Sequence, residues 1–517
     1  MLTDPVLRVE RQGSVMRLSL PELLAALGED EVDSLPGLQL HQEDGWHVFL
    51  SYLAATVLAR SGERRPSQRA AYWEDGLREL AGSAGDDAWR LVVPDTARPA
   101  FMQPPLPPGD ARRLKDKAAT PDELDLLVTS KNHDVKAARA SQADVDEWVY
   151  ALVNVQTMSG YLGAGNRGIA RMNSGFGNRL IVELVRSFRM GRRFSDAVVR
   201  LLEHRERLLE EAYGYDPNGL ALLWVVVWDG STLLPLRALD PFFIEICRRI
   251  RLVSVGDGIR ARDVSASADR VDAKDLAGAV GDPWLPVDEG KRSGKEATVK
   301  ALTISADGLT AETMRRLVFR DGLVLTGLQD PGSDWGRTDV WLSASVLVRG
   351  QGKTEGFHHE VVHVPGKVVP RLFGPPEARR VLADLSRNGL EEAGKMAQVL
   401  RRATMTYLQG GNADVDRKSV DLWWRRASRS FERLWRPRFF PWLWDHAADE
   451  DLHDALTTWA LGLKDAALRV LRDVEEGWPH RAGRSYQSKV AAERAFYGML
   501  YSSKYFPWLK EERVHNA

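Results

Sequence analysis

Trp341-Leu342-Ser343-Ala344-Ser345-Val346-Leu347-Val348-Arg349-Gly350-Gln351-Gly352-Lys353-Thr354-Glu355-Gly356-Phe357-His358-His359-Glu360-Val361-Val362-His363-Val364-Pro365 decides how the chain is read. Two runs rich in β-branched residues flank a centre that carries Gly350, Gly352 and Gly356. That pattern predicts a β-hairpin with a permissive tip. The tip offers a long polar side chain, Gln351, and a cation, Lys353, between glycines that let backbone approach a partner closely.

Two other readings of the same residues compete with the hairpin. A phosphate-binding loop needs glycine five residues before its Gly-Lys-Thr step, and Leu347 stands there. His359-Glu360-Val361-Val362-His363 matches the H-E-x-x-H zinc motif letter for letter. That chemistry requires a helix, where residues i and i+4 stand about 6 Å apart. Val361, Val362 and Val364 favour a strand, on which four residues span roughly 13 Å and two imidazoles cannot share one metal. A metal-dependent hydrolase built on His359, Glu360 and His363 is therefore the alternative, and a contact hairpin is the expectation.

The chain's 517 residues exceed what one core ordinarily holds, so a large and a smaller domain are expected. Hydrophobic content of 44% and charged content of 28% exclude wholesale disorder. Lys and Arg total 71 against 72 Asp and Glu, so any nucleic-acid partner must be met by local basic patches. The single cysteine, Cys247, excludes a disulfide framework and any cysteine-based zinc cluster. Met1-Leu2-Thr3-Asp4-Pro5 lacks the regions of a signal peptide, and the apolar run Leu220–Trp228 is half a membrane span. A cytoplasmic protein without a membrane partner is expected.

Strands are predicted at Val6–Val9 and Val15–Leu20, a helix from Pro21, and a core helix from Trp46 to Leu58. Prolines at 104, 105, 107 and 108 predict an extended passage, and Leu126–Lys136 an exposed loop. After a helix over Asp144–Gln156 comes Gly160-Tyr161-Leu162-Gly163-Ala164-Gly165-Asn166-Arg167-Gly168, followed by Arg171, Asn173, Gly175, Gly177, Asn178 and Arg179. Glycines interleaved with arginines and asparagines suit phosphate or groove contact. Ala221–Trp228 reads as a strand buried on both faces, and Pro241–Leu252 as an amphipathic helix with Arg248, Arg249 and Arg251 towards solvent. Beyond Gly374-Pro375-Pro376 four helical regions remain: one through Val381–Tyr407, then Leu422–Trp435, Leu452–Val474 and Val490–Tyr505. The fold class is thus α+β. A large mixed N-terminal domain over residues 1–374 precedes an all-α C-terminal four-helix bundle over residues 375–517.

In order along the chain, Leu2-Thr3-Asp4-Pro5, Trp224-Val225-Val226-Val227-Trp228-Asp229-Gly230, Leu239-Asp240-Pro241, Gly281-Asp282-Pro283-Trp284-Leu285-Pro286 and Arg349–Gly356 resemble the CasA family. That family is the large subunit of the type I-E CRISPR surveillance complex Cascade. The resemblance implies a chain with no catalytic activity or cofactor of its own. It implies recognition of the protospacer-adjacent motif in double-stranded DNA from the minor groove, and a wedge that starts R-loop formation. The implied partners are the target DNA, the guide RNA, the backbone, small and guide-end subunits, and a recruited helicase-nuclease. Carried to matching positions, Arg349, Gly350, Gln351, Gly352 and Lys353 form the wedge hairpin, with Gln351 leading. Gly160, Gly163, Ala164, Gly165, Asn166, Arg167 and Gly168 form the glycine loop at the groove. Lys274 becomes the lysine finger, with Lys291 and Lys295 as alternatives, and Thr129, Ser130, Lys131 and Asn132 the loop near the motif and guide.

Overall fold

Antiparallel strands Leu7–Arg11 and Ser14–Leu18 begin the fold, joined where Gln12 and Gly13 both take positive φ (51° and 76°). That is the two-residue turn whose twist suits a hairpin. Ser19 then caps the helix Leu20–Gly28 in a reciprocal box with Glu22. The computed structural model describes residues 1–125, 143–290, 299–350, 353–410, 417–447, 452–478 and 482–509. The chain divides into two units, Met1–Thr310 with Arg316–Val362, and Ala311–Arg315 with His363–Ala517.

The first unit is built around the helix Glu43–Ser61, buried from Trp46 to Leu58 except at His47. A helix apolar on every side belongs inside a core. Trp46 packs on Phe49 and Tyr150, and Tyr52 on Phe242 and Trp284. Helices Val145–Thr157 and Met190–Glu210 supply further core around it.

The hairpin is present as strands Val340–Gly350 and Lys353–Val364, in a three-stranded sheet completed by Ile181–Val185. Trp341 pairs with Val185 and Ser345 with Ile181 in antiparallel register. His359, Glu360 and His363 therefore lie on a strand, and His359 Nε2 meets Ser343 Oγ at 2.9 Å. This overturns the helix that the hydrolase alternative required. Among the described residues, no three His, Cys, Asp or Glu side chains could hold a metal together.

Two expectations need correction. Of the Ala221–Trp228 run only Ala221 and Leu222 are strand, within Leu220–Leu222, which pairs in parallel with Leu239–Ile244. Beyond it, Arg270 Nη2 donates to the carbonyls of Leu223, Val226 and Val227, the acceptors a continuing ladder would use. Trp224 is anchored by its own indole, which donates to the Ala88 carbonyl at 3.0 Å. The run Pro241–Leu252 is not a helix but parts of strands Leu239–Ile244 and Arg249–Val255. Its arginines point inward: Arg248 donates to the Gly160 carbonyl, Arg249 to Ser265, and Arg251 to Val93 and Arg98. A guanidinium carries five donors, so loop carbonyls brought from afar can satisfy it in the interior.

The second unit contains the long helices Pro376–Leu408, Arg417–Asp445, Leu452–Gly477 and Ala482–Leu500, with the first packed on the other three. Trp442 stacks on Trp459 with ring centroids 4.7 Å apart, and their indoles donate to the Ala455 and Gly389 carbonyls. A Cβ at Gly389 would stand 2.6 Å from the Trp442 ring, so glycine there permits the packing. The expected domain boundary at residue 374 lies just before the first of these helices, whereas the units divide at residue 362. Among the described residues no helix is long and apolar enough to cross a membrane.

Candidate nucleic-acid interface

The glycine-dense stretch folds on itself. Gly160 donates its amide to the Gly177 carbonyl and Tyr161 to that of Gly175, at 3.0 and 2.9 Å. A Cβ at Gly160 would stand 2.1 Å from the Gly175 oxygen, so two backbone segments touch where no side chain fits. A tight turn at Gly163–Asn166 follows, in which Gly163 has φ 115° and open space beside it. Ala164 is exposed, and Gly165 is tethered below by the Ala266 amide. Ala164 is therefore the exposed point of the turn, with Gly163, Gly165, Asn166, Arg167 and Gly168 half-buried around it.

The arginines of this stretch do not gather on one outer face. Arg171 and Arg179 are buried, at 3% and 2% side-chain exposure, and both approach the Asp282 carboxylate. Arg171 also lies over the Phe243 ring at 3.8 Å and 3.5 Å from Glu245. Burial pushes the Glu245 carboxyl up to about 7 despite Arg171, which marks how little water reaches this cluster. Arg167 remains half-buried, with its guanidinium on the Ser267 carbonyl. The expectation of guanidinium groups presented together to phosphate is thus corrected: buried carboxylates and carbonyls occupy them, and they hold the loop to the core.

The same stretch lies against the hairpin. Asn178 donates its amide to the Leu347 carbonyl at 2.9 Å, and Gly177 approaches the Leu347–Arg349 backbone. Between them is a groove of about 260 Å³ whose walls include Gly175, Phe176, Gly177, Val348, Gly350 and Glu355. Arg349, placed at the DNA face by the resemblance, is buried instead. Its Nη2 donates to the Asp125 carbonyl at 2.7 Å and lies 3.4 Å from that residue's carboxylate. Burial pulls its pKa down while Asp125 opposes. Burial acts against the charged form of Asp125 too, yet His41 and Arg349 hold that carboxyl below the usual carboxylate range. Gly350 lines the groove, and Lys353 begins the second strand. Gln351 and Gly352 lie outside the described residues, as do Thr129, Ser130, Lys131 and Asn132 and the alternative lysines Lys291 and Lys295.

Lys274 opens a short 3-10 turn, Lys274–Leu276, and is exposed. The turn reverses through Ala277 (φ 46°) and Gly278 (φ 85°). Gly278 presses on the backbone of Met172 and Asn173, with a virtual Cβ 2.8 and 3.0 Å away. Lys274 is thereby tied to the glycine stretch, and that stretch to the hairpin. The sequence reading missed Phe176, 40% exposed on the groove wall and 6.1 Å from the Tyr161 ring. An aromatic flanked by Gly175 and Gly177 was the available signal, because flanking glycines leave a ring little to pack against.

Residues 237–470 match the family model of CRISPR-associated protein Cse1, and the fold likeness covers nearly all of the chain. Over those residues the chain is similar to the Cse1 (CasA) family. The family supplies the large subunit of CRISPR Cascade. Thermus thermophilus CasA shares the Cse1 fold at TM-score 0.62 and 16% identity, over 96% of this chain and 98% of that one. Cse1 from Acidimicrobium ferrooxidans aligns at TM-score 0.57 and 14% identity, over 96% of each chain. Thermobifida fusca Cse1 aligns at 0.54 and 14%, again over 96% of each. No curated protein matches the sequence. At these identities the Cse1 likeness of the structures concerns fold, and the roles of single residues rest on the geometry above.

Proposed function

We propose that this Cse1-like chain reads the protospacer-adjacent motif of duplex DNA from the minor groove and opens the adjoining base pairs. One observation carries the reading: the Gly163–Gly165 tip's loop, the Lys274 turn and the end of the Val340–Gly350 strand are linked in one assembly. The minor groove presents a degenerate code, so a reader there works by close backbone approach and a few donors. Open space beside Gly163 permits that approach, and exposed Lys274 supplies a cation. Gln351, between the two hairpin strands, is the wedge in this reading. Separating a base step costs a few kcal/mol, partly offset when a polar side chain bonds the freed base edges. Guide RNA carries sequence specificity by pairing, and other Cascade subunits supply most phosphate contacts, consistent with a net charge of −1. The chain acts without chemistry of its own and helps recruit the helicase-nuclease.

The test is R-loop formation by the reconstituted complex, with and without this chain, on duplexes that differ only in the flanking motif. Gln351→Ala should leave assembly and motif binding intact and lower strand opening, read by permanganate reactivity of thymines. Unchanged opening in that variant removes the wedge role. Lys274→Ala should lower the affinity ratio between correct and scrambled motifs. An equal fall on both duplexes would make it a phosphate contact rather than a reader.

A further inference from the structure

The groove between Phe176 and the end of the Val340–Gly350 strand is not built for phosphate. Each guanidinium on its walls is already held by a buried carboxylate: Arg171 and Arg179 by Asp282, and Arg349 by Asp125. Glu355 adds a further carboxylate to the lining, and Met172, Leu302, Ile304 and Val348 give it apolar sides.

Two side chains of the lining lack the partners that their chemistry calls for. Phe176 keeps 40% of its surface in solvent. The Tyr161 ring, 6.1 Å away and inclined at 52°, does not stack on it. Asn178 lines the same groove and is 4% exposed, yet neither its Oδ1 nor its Nδ2 has a hydrogen-bond partner among the described residues. A buried amide left in that state costs free energy, which a ligand with a neighbouring donor and acceptor can recover.

We propose that this groove receives one unpaired nucleobase, the base freed beside Gln351, which stacks on Phe176 and turns its edge to the Asn178 amide. The inference rests on the DNA-opening role proposed above. A nucleobase is an uncharged ring with two π faces and an edge of neighbouring donors and acceptors, which matches an uncovered ring and an unpartnered amide. At about 260 Å³ the groove is smaller than the ~300 Å³ at which pockets for whole ligands begin, so it suits a single base still attached to its strand. Gly350, also on its wall, immediately precedes Gln351, so the wedge delivers the base at the groove's edge. Held there, the base cannot pair again, and the opened step stays open.

Photocrosslinking in the reconstituted complex tests it. Motif-bearing duplexes carry a single 5-iodouracil, which couples to an aromatic ring stacked on it, at each position next to the motif on either strand in turn. One position should crosslink to this chain, and peptide mapping should place the bond at Phe176. Phe176→Leu keeps an apolar side chain on the half-exposed wall, so the complex should assemble while the yield at that position falls about tenfold, the loss expected for one base–aromatic stack. Asn178→Ala should lower the yield without lowering the chain's Tm, because the amide it removes has no partner inside the protein. Crosslinks that map away from Phe176 at every position, or an unchanged yield in either variant, overturn the proposal. Permanganate reactivity of thymines in the same wild-type complex separates the two failures. Reactive thymines without a Phe176 crosslink remove the groove's role alone, whereas no reactive thymine removes the DNA-opening role and the groove with it.

Discussion

Arg179 reaches Asp282 with both Nη2 and Nε at 2.5 Å, joining the end of the glycine-dense stretch to the Asp282-Pro283-Trp284 passage about a hundred residues later. Asp282 also accepts from Tyr52 Oη on the central helix, at 3.2 Å. Loop and core therefore share one buried carboxylate, which ties the position of the Gly163–Gly165 turn to the packing of the interior.

Removing that carboxylate leaves Arg179 and Arg171 buried with reduced compensation. Asp282→Ala is expected to destabilise the first unit by about 3–5 kcal/mol, the range for breaking a buried ion pair from one side. Urea denaturation followed by tryptophan fluorescence measures it. A loss below about 1 kcal/mol would mean that the carboxylate does not organise the cluster.

Arg349 separates a structural role from a DNA contact. Arg349→Ala should lower stability by about 2–3 kcal/mol, moderated because His41, Gln42 and Asn154 still serve Asp125. The slope of log affinity for duplex DNA against log salt should not change in the assembled complex. A slope reduced by about one unit would instead make Arg349 a phosphate contact.

Two glycines of the loop should respond differently to alanine. Gly160→Ala places a methyl 2.1 Å from the Gly175 oxygen and should disrupt the crossing, exposing loop amides to hydrogen exchange. Gly163→Ala meets open space and is opposed only by φ of 115°, which favours glycine, so it should cost about 1 kcal/mol and leave the crossing intact. Protection of the Gly160 and Tyr161 amides reads the difference.

His204 gives the fold a pH dependence. The ring is buried, has no hydrogen-bond partner on either nitrogen among the described residues, and lies 3.3 Å from where a Cβ of Gly327 would be. Burial, with Arg207, lowers its pKa from 6.5 to about 4. Below pH 6.5 the unfolded chain binds a proton that the folded chain refuses. Stability should therefore fall as pH drops from 6.5 to about 4, by up to about 3 kcal/mol, and not change further from this group at lower pH. His204→Leu should flatten that limb of the denaturation profile, and an unaltered limb would remove His204 as its source.

The sequence by itself determined the elements whose cause is local. Alternating β-branched residues around Gly350–Gly356 specified the hairpin strands, and with them a strand rather than a helix for His359–His363. Apolar spacing bounded by glycine and proline specified the helical C-terminal region, and proline in a first turn specified a helix start near Pro21. Only the tertiary structure decided which way the arginines face. Arg171, Arg179, Arg248, Arg251 and Arg349 read as solvent or phosphate groups in the chain, yet all lie inside. A guanidinium is buried when carboxylates and free carbonyls converge on it, and here those acceptors come from Asp125, Asp282 and the loops at Val93 and Gly160. Such convergence has no period along the chain, so no local pattern announces it. The same long-range packing turned Pro241–Leu252 from helix to strand and drew the Lys274 turn onto Met172 and Asn173.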